Sequence, residues 1–116
     1  MPEKDDSVYL LDMLNAGLKI REFVGGKSEA EYLQDEVLQA AIERKVEIIG
    51  EAARYISEEF KAAHPEVPWR PIMAQRHILV HDYGEILQEK LWRVATLRIP
   101  ELLEMLEKLL PPEERK

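Results

Sequence analysis

The stretch that decides the fold is residues 37–60, VLQAAIERKVEIIGEAARYISEEF. Its apolar side chains recur three and four positions apart, which is the spacing that places side chains on one face of an α-helix. Asp35 lies just before this stretch and is a suitable N-cap. The sequence therefore predicts one long helix that continues until the proline-containing loop at residues 64–68. The apolar stripe consists of Val37, Leu38, Ala41, Ile42, Ile48, Ile49, Ala52, Ala53, Ile56 and Phe60.

Gly50 lies in the middle of this predicted helix. A glycine inside a helix costs roughly 1 kcal/mol relative to alanine, so its presence there needs a reason. We predict that it allows a neighbouring helix to approach closely, beside Ala52 and Ala53.

Further helices are predicted on both sides of residues 37–60. Residues 10–24 keep the same apolar spacing and predict a first helix that ends near Gly25. Ser28 and Glu31 have the spacing of a capping box, which predicts a short second helix through about Gln34. Another helix is predicted to start near Trp69, with a proline harmlessly in its first turn, and to end at residue 84, which is a glycine.

The C-terminal part predicts a last helical stretch from Ile86 that is bent or restarted at Pro100. Leucines continue the apolar stripe through Leu109, and two prolines at positions 111 and 112 then end it. No internal repeat, low-complexity linker or change of composition divides the chain. We therefore expect residues 1–116 to form a single all-α domain, an antiparallel bundle of four to five helices.

Composition excludes several kinds of site. The 116 residues contain no cysteine, so a disulfide framework, a thiolate zinc site and a cysteine nucleophile are all excluded. The formal net charge of −7 argues against wrapping a nucleic-acid duplex, although it leaves room for a small basic cleft. Residues 1–6 are mostly charged and lead into no apolar run of membrane-spanning length. We expect a cytoplasmic protein with no membrane partner.

The chemistry-bearing residues cluster near the end of the predicted helix 69–84, where Arg70, Arg76, His77 and His81 lie within twelve residues. Histidine transfers protons near neutral pH, and an arginine fork stabilises charge on a phosphate. RNA carries its own nucleophile, the 2′-hydroxyl, so a ribonuclease needs only a base, an acid and nearby cations. His81 in proton transfer and Arg76 on the phosphate would supply these if two copies met about a two-fold axis.

Other interpretations of the same residues remain open at this point. His77 and His81 are one turn apart and could bind zinc, with His64, Asp82 or Glu85 as a third ligand. Arg76 could instead pair with a carboxylate of a neighbouring helix. A tyrosine at a helix end, such as the one at position 83, is often an amphipathic anchor. His64 is predicted to be a surface residue, Trp69 and Trp92 are predicted to pack in the core or an interface, and Lys90, Arg93 and Arg98 are predicted to form a solvated face.

Residues 76–83, RHILVHDY, resemble the motif of the HEPN superfamily: arginine, a polar residue, three further residues and histidine. The tyrosine two positions after the histidine is the extended form found in HepT-like toxins. Further stretches of the chain that resemble this family are residues 49–53, 57–60, 64–70 and 97–102. The likeness thus covers nearly all of the chain. It departs from the family at His77, where asparagine is common.

The resemblance implies an all-helical HEPN-type homodimer, or a higher oligomer, that acts as a metal-independent endoribonuclease toxin without a cofactor. Arg76 and His81 would be catalytic, with His77 as a supporting residue. The implied partners are an RNA substrate and a nucleotidyltransferase antitoxin, which would silence the toxin by transferring AMP to Tyr83. The alternative is a non-catalytic HEPN module that uses the same groove to bind a nucleotide or a protein.

Overall fold

The computed structural model describes residues 5–79 and 87–115, and for residues 76–79 and 114 the backbone alone. Within this part the chain is helical and contains no β-strand, so the predicted all-α class is confirmed. None of its helices combines the length and apolar character needed to cross a membrane. The helices are α1 (Asp6–Val24), α2 (Glu29–Leu33), α3 (Glu36–Tyr55), α4 (Glu58–Ala63), α5 (Trp69–Leu79), α6 (Gln88–Arg93) and α7 (Ile99–Leu109).

Side chains that bond to backbone amides mark where the N-terminal helices begin. The predicted capping box of α2 is confirmed, because Ser28 Oγ accepts from the amide of Glu31 at 3.1 Å and Glu31 Oε1 accepts from the amide of Ser28 at 3.0 Å. Asp35 caps α3 as predicted, through a 3.0 Å bond from the amide of Leu38. These bonds satisfy amides that have no partner inside the helix.

The predicted extent of the long helix is wrong at its C-terminal end. α3 stops at Tyr55, Ile56 is extended with ψ 139°, and Ser57 caps the separate helix α4. The carboxylate of Asp6, at the start of α1, accepts from the amide of Ser57 at 2.8 Å and from its hydroxyl at 2.7 Å. This contact between distant segments stabilises the break. Val37 is also predicted to belong to the apolar stripe, and this is wrong, because the residue is 81% exposed.

The core lies where α1 packs against α3 and α7. α1 and α3 are antiparallel, since the start of α1 meets the end of α3 and Tyr9 stacks on Tyr55 with ring centroids 5.4 Å apart. α7 approaches α1 closely at Gly17, where a Cβ atom would lie 2.8 Å from Leu103 Cδ2. The fully buried side chains here include Leu10, Met13, Leu14, Ile20, Ile42, Leu103 and Leu106.

α5 also packs on α3. The predicted close approach at Gly50 is confirmed, because a Cβ atom there would lie only 3.3 Å from the carbonyl oxygen of Ile72. α5 begins at Trp69 as predicted. The Trp69 indole is buried and donates to the carbonyl of His64 at 2.9 Å. The predicted end of this helix at residue 84 lies outside the described residues.

The C-terminal helical run is interrupted by a π-helical turn, Val94–Arg98, between α6 and α7. The sequence predicts a bend or restart at Pro100, and the irregular turn instead comes just before that residue. Pro100 itself lies in the first turn of α7. α6 begins at Gln88, after the extended backbone of Leu87, and the predicted start at Ile86 lies outside the described residues. α7 ends at Leu109, ahead of the two prolines, as predicted.

Candidate active site

The predicted site residues divide into two groups. Arg76 and His77 lie in the last turns of α5, where the structure gives their backbone. His81 and Tyr83 lie outside the described residues. Their roles, and the convergence of the four side chains, therefore stay predictions.

His64 is more involved in packing than the sequence predicts. Its side chain is 31% exposed, its ring lies on Phe60 with centroids 4.4 Å apart, and its Nδ1 is 3.3 Å from Glu66 Oε2. The prediction of a surface histidine is thus correct only in part. His64, one of the possible zinc ligands, thus already contacts the carboxylate of Glu66. The described side chains contain no cluster of three residues that could bind a metal ion.

α3 fixes the turn of α5 that precedes Arg76. Arg54, on the exposed side of α3, extends across to α5, and its Nη2 donates to the carbonyl oxygen of Met73 at 3.3 Å. In a regular helix this carbonyl also accepts from the amide four residues later, which is that of His77. The Arg54 guanidinium therefore lies beside the backbone turn that leads into the motif.

Lys61, on α4, is a second cation at the same turn. Its side chain is only 7% exposed, and its ammonium lies 3.4 Å from Met73 Sδ and 3.7 Å from Glu58 Oε1. The Glu58 side chain is 92% exposed, so water solvates most of its charge. Sequence reasoning missed both Arg54 and Lys61, because neither belongs to a motif or a periodic pattern.

A partly buried polar network holds the chain on the other side of the motif. The Tyr32 hydroxyl, on α2, donates to Gln88 Oε1, and Gln88 Nε2 donates to Glu43 Oε2 on α3 at 2.7 Å. Burial raises the pKa of Tyr32, and the nearby Glu43 charge raises it further, so the phenol remains a donor. The Tyr32 ring also packs on Trp92, with centroids 5.1 Å apart. Gln88, five residues after Tyr83, is thereby tied to α2 and α3.

We expect Tyr32→Phe to lower the free energy of unfolding by about 1–3 kcal/mol, because Gln88 Oε1 loses its donor while the ring contact with Trp92 is kept. Urea unfolding followed by circular dichroism measures this. Tyr55→Phe is the matched control, since the Tyr55 side chain is 69% exposed and its change should be within about 0.5 kcal/mol. Equal stability of the two variants would contradict the role given to this network.

A cleft of about 360 Å³ lies between α3, α5 and α7. Gln75, which precedes Arg76, lines one side, and Arg98 lies on the rim 3.8 Å from Glu101. The remaining lining is mostly apolar, so this cleft does not suit a phosphodiester. Lys90, Arg93 and Arg98 are exposed, as the prediction of a solvated face requires.

The sequence profile of HepT-like ribonucleases matches residues 13–109 of this chain. The chain belongs to the HepT-like ribonuclease family. The matched range contains α3, α5 and the whole motif 76–83, so the resemblance inferred from the sequence is confirmed.

Several HepT-like relatives align over almost their whole length. A protein of Thermococcus cleftensis named "Probable ribonuclease HepT" is 39% identical over 101 residues, which are 87% of this chain and 92% of that protein. A protein of Methanocaldococcus jannaschii named "Putative RNase" is 32% identical, over 88% of this chain and 94% of its own length. One of the same name from Caldanaerobacter subterraneus is 34% identical, over 91% and 95%. No solved structure matches the chain significantly.

Proposed function

We propose that this protein is a metal-independent endoribonuclease and the toxin of a toxin–antitoxin pair. Membership of the HepT-like ribonuclease family carries the proposal, because relatives named as ribonucleases align with nearly the full chain. The residues needed for the chemistry are present in the motif of α5 and the segment after it. We place the reaction in the cytoplasm, where the RNA substrate is found.

Cleavage starts from the 2′-hydroxyl of the RNA itself. One His81 imidazole accepts the 2′-hydroxyl proton as this oxygen attacks the adjacent phosphorus, and a second, protonated His81 donates to the departing 5′-oxygen. The O2′–P bond forms and the P–O5′ bond breaks, which leaves a 2′,3′-cyclic phosphate and a 5′-hydroxyl. Arg76 stabilises the extra negative charge on the phosphate in the transition state.

One chain has a single His81, so we propose that the active site is shared by two copies. A two-fold axis at the motif brings together two His81 and two Arg76 side chains in one groove. His77, beside Arg76 in α5, is placed as a supporting residue. Neither cofactor nor metal takes part in this mechanism.

We further propose that a nucleotidyltransferase antitoxin silences the enzyme at Tyr83. The phenolic oxygen attacks the α-phosphorus of ATP, pyrophosphate leaves and AMP remains on the tyrosine. The added phosphate places negative charge next to Arg76 and His81. RNA, itself a polyanion, is then repelled from the groove.

A cleavage assay in the presence of a metal chelator tests the catalytic proposal. We expect the wild-type protein to cut end-labelled single-stranded RNA in excess EDTA and to leave 2′,3′-cyclic phosphate ends. An RNA with a single 2′-deoxy nucleotide at the mapped cleavage position should resist, since the nucleophile is missing. Cleavage that needs a divalent metal, or that leaves 5′-phosphate ends, would contradict the mechanism.

A further inference from the structure

Arg54 occupies a position that suits RNA binding, outside the motif. Its guanidinium lies 3.3 Å from the carbonyl oxygen of Met73, and the residue is exposed. Met73 is one helical turn before His77, so the cation lies at the edge of the candidate catalytic helix. The guanidinium thus lies against the backbone of α5, one turn before the motif at residues 76–83.

The hydrogen bond to Met73 uses one of the five N–H donors of Arg54. Among the described residues Arg54 forms no ion pair, whereas Lys19, Arg44 and Arg98 each pair with a carboxylate three residues away. The remaining donors of Arg54 form a planar fork that matches the oxygens of a phosphate. This arginine is therefore bonded to the backbone of α5, and no acid within the described ranges 5–79 and 87–115 pairs with it.

Lys61 is a second cation at this turn, and it is paired with the exposed Glu58 at 3.7 Å. Its ammonium contacts the side chain of Met73, while Arg54 contacts the carbonyl of the same residue. The acidic groups nearest along these helices are Glu51 on α3 and Glu58 on α4, both exposed and solvated. Arg54 and Lys61 thus place two cations at Met73, although the chain as a whole has a net charge of −7.

We propose that Arg54, supported by Lys61, is a phosphate-binding residue that holds the RNA backbone next to the scissile bond. This inference rests on the proposed ribonuclease function, because it assigns a substrate contact to that site. Arg54 binds substrate equally in the ground state and the transition state, so it lowers KM and leaves kcat almost unchanged. It takes no part in proton transfer.

The test compares Arg54→Gln with Arg44→Gln. Both residues are exposed arginines of α3, and glutamine removes the charge while it keeps a polar side chain. Binding of a fluorescent single-stranded RNA of about 12 nucleotides is followed by anisotropy, in the His81→Ala background so that the RNA stays intact.

Arg54→Gln should weaken RNA binding by about tenfold. The slope of log affinity against log salt should also become shallower by about 0.7, the value for one phosphate contact on a single strand. Arg44→Gln should change neither quantity, and Arg54→Lys should restore the slope because it restores the charge. In the active protein, Arg54→Gln should raise KM and leave kcat nearly unchanged.

An unchanged affinity and salt slope in a folded Arg54→Gln protein would overturn the proposal, as would equal losses in Arg54→Gln and Arg44→Gln. Circular dichroism melting of each variant verifies the fold. Failure of the proposed ribonuclease function would give a different result. A wild-type protein that binds RNA with an Arg54-dependent slope and never cleaves it would retain this contact and lose the catalytic mechanism.

Discussion

RNA cleavage is expected to fall by about 10²- to 10⁴-fold when His81 is replaced by alanine, because both proton transfers of the proposed mechanism use this imidazole. Arg76→Ala should cost about 10²- to 10³-fold, the usual effect of removing one group that stabilises the transition-state charge. Single-turnover cleavage of a labelled RNA measures both. The rates should fall without loss of RNA affinity in His81→Ala.

His64→Ala is the matched control for His81→Ala. His64 contacts Phe60 and Glu66 in the structure, and we assign it no catalytic role, so this variant should cleave at the wild-type rate. Equal rates in wild type, His81→Ala and Arg76→Ala would instead favour the non-catalytic binding module. A melting experiment on each variant separates lost activity from lost structure.

A subunit-mixing experiment extends this prediction to the shared site. When wild type is re-equilibrated with an equal amount of His81→Ala, about one quarter of the dimers contain two wild-type subunits. If each cut needs both imidazoles, activity per total protein should fall to about one quarter of the wild-type value. A fall to about one half would mean that each subunit acts alone.

The second large effect that we expect is loss of ribonuclease activity when AMP is transferred to Tyr83. Co-expression with the nucleotidyltransferase antitoxin that we propose as partner should abolish cleavage by wild type and add the mass of AMP. Tyr83→Phe should keep its full ribonuclease activity under the same conditions, because phenylalanine has no oxygen to accept the nucleotide. Intact-protein mass spectrometry and the cleavage assay report the two changes separately.

Tyr55→Phe is the control for this loss of a phenol, since Tyr55 is exposed and stacks on Tyr9 at the C-terminal end of α3. This variant should still be modified and silenced. Silencing of Tyr83→Phe to the same degree as wild type would contradict the proposed acceptor.

The sequence was sufficient where structure depends on neighbours along the chain. The caps at Ser28 and Asp35 were predictable because each is a bond between a side chain and an amide three residues later. The tight contact at Gly50 was also predictable, since a glycine inside a helix needs a reason. The two caps require no knowledge of which helices pack together, whereas the sequence did not identify α5 as the partner at Gly50.

The features that could not be predicted join distant segments. The break after α3 is stabilised by the bond between Asp6 and Ser57, which are 51 positions apart, and nothing in residues 37–60 signals this contact. Arg54 resembles any exposed arginine until α5 is placed beside it. The motif itself was visible only through its family resemblance, since its spacing alone also allows a zinc site or an ion pair.

The π-helical turn at Val94–Arg98 makes the length of the C-terminal run as important as its composition. Such a turn holds one residue more than a regular α-helical turn. A chain shorter by one residue at this point would resume an ordinary helix and rotate everything after it by about 100°. The buried side chains of Leu102, Leu103 and Leu106 would then turn out of the core, so a one-residue deletion here should be tolerated far less well than a substitution.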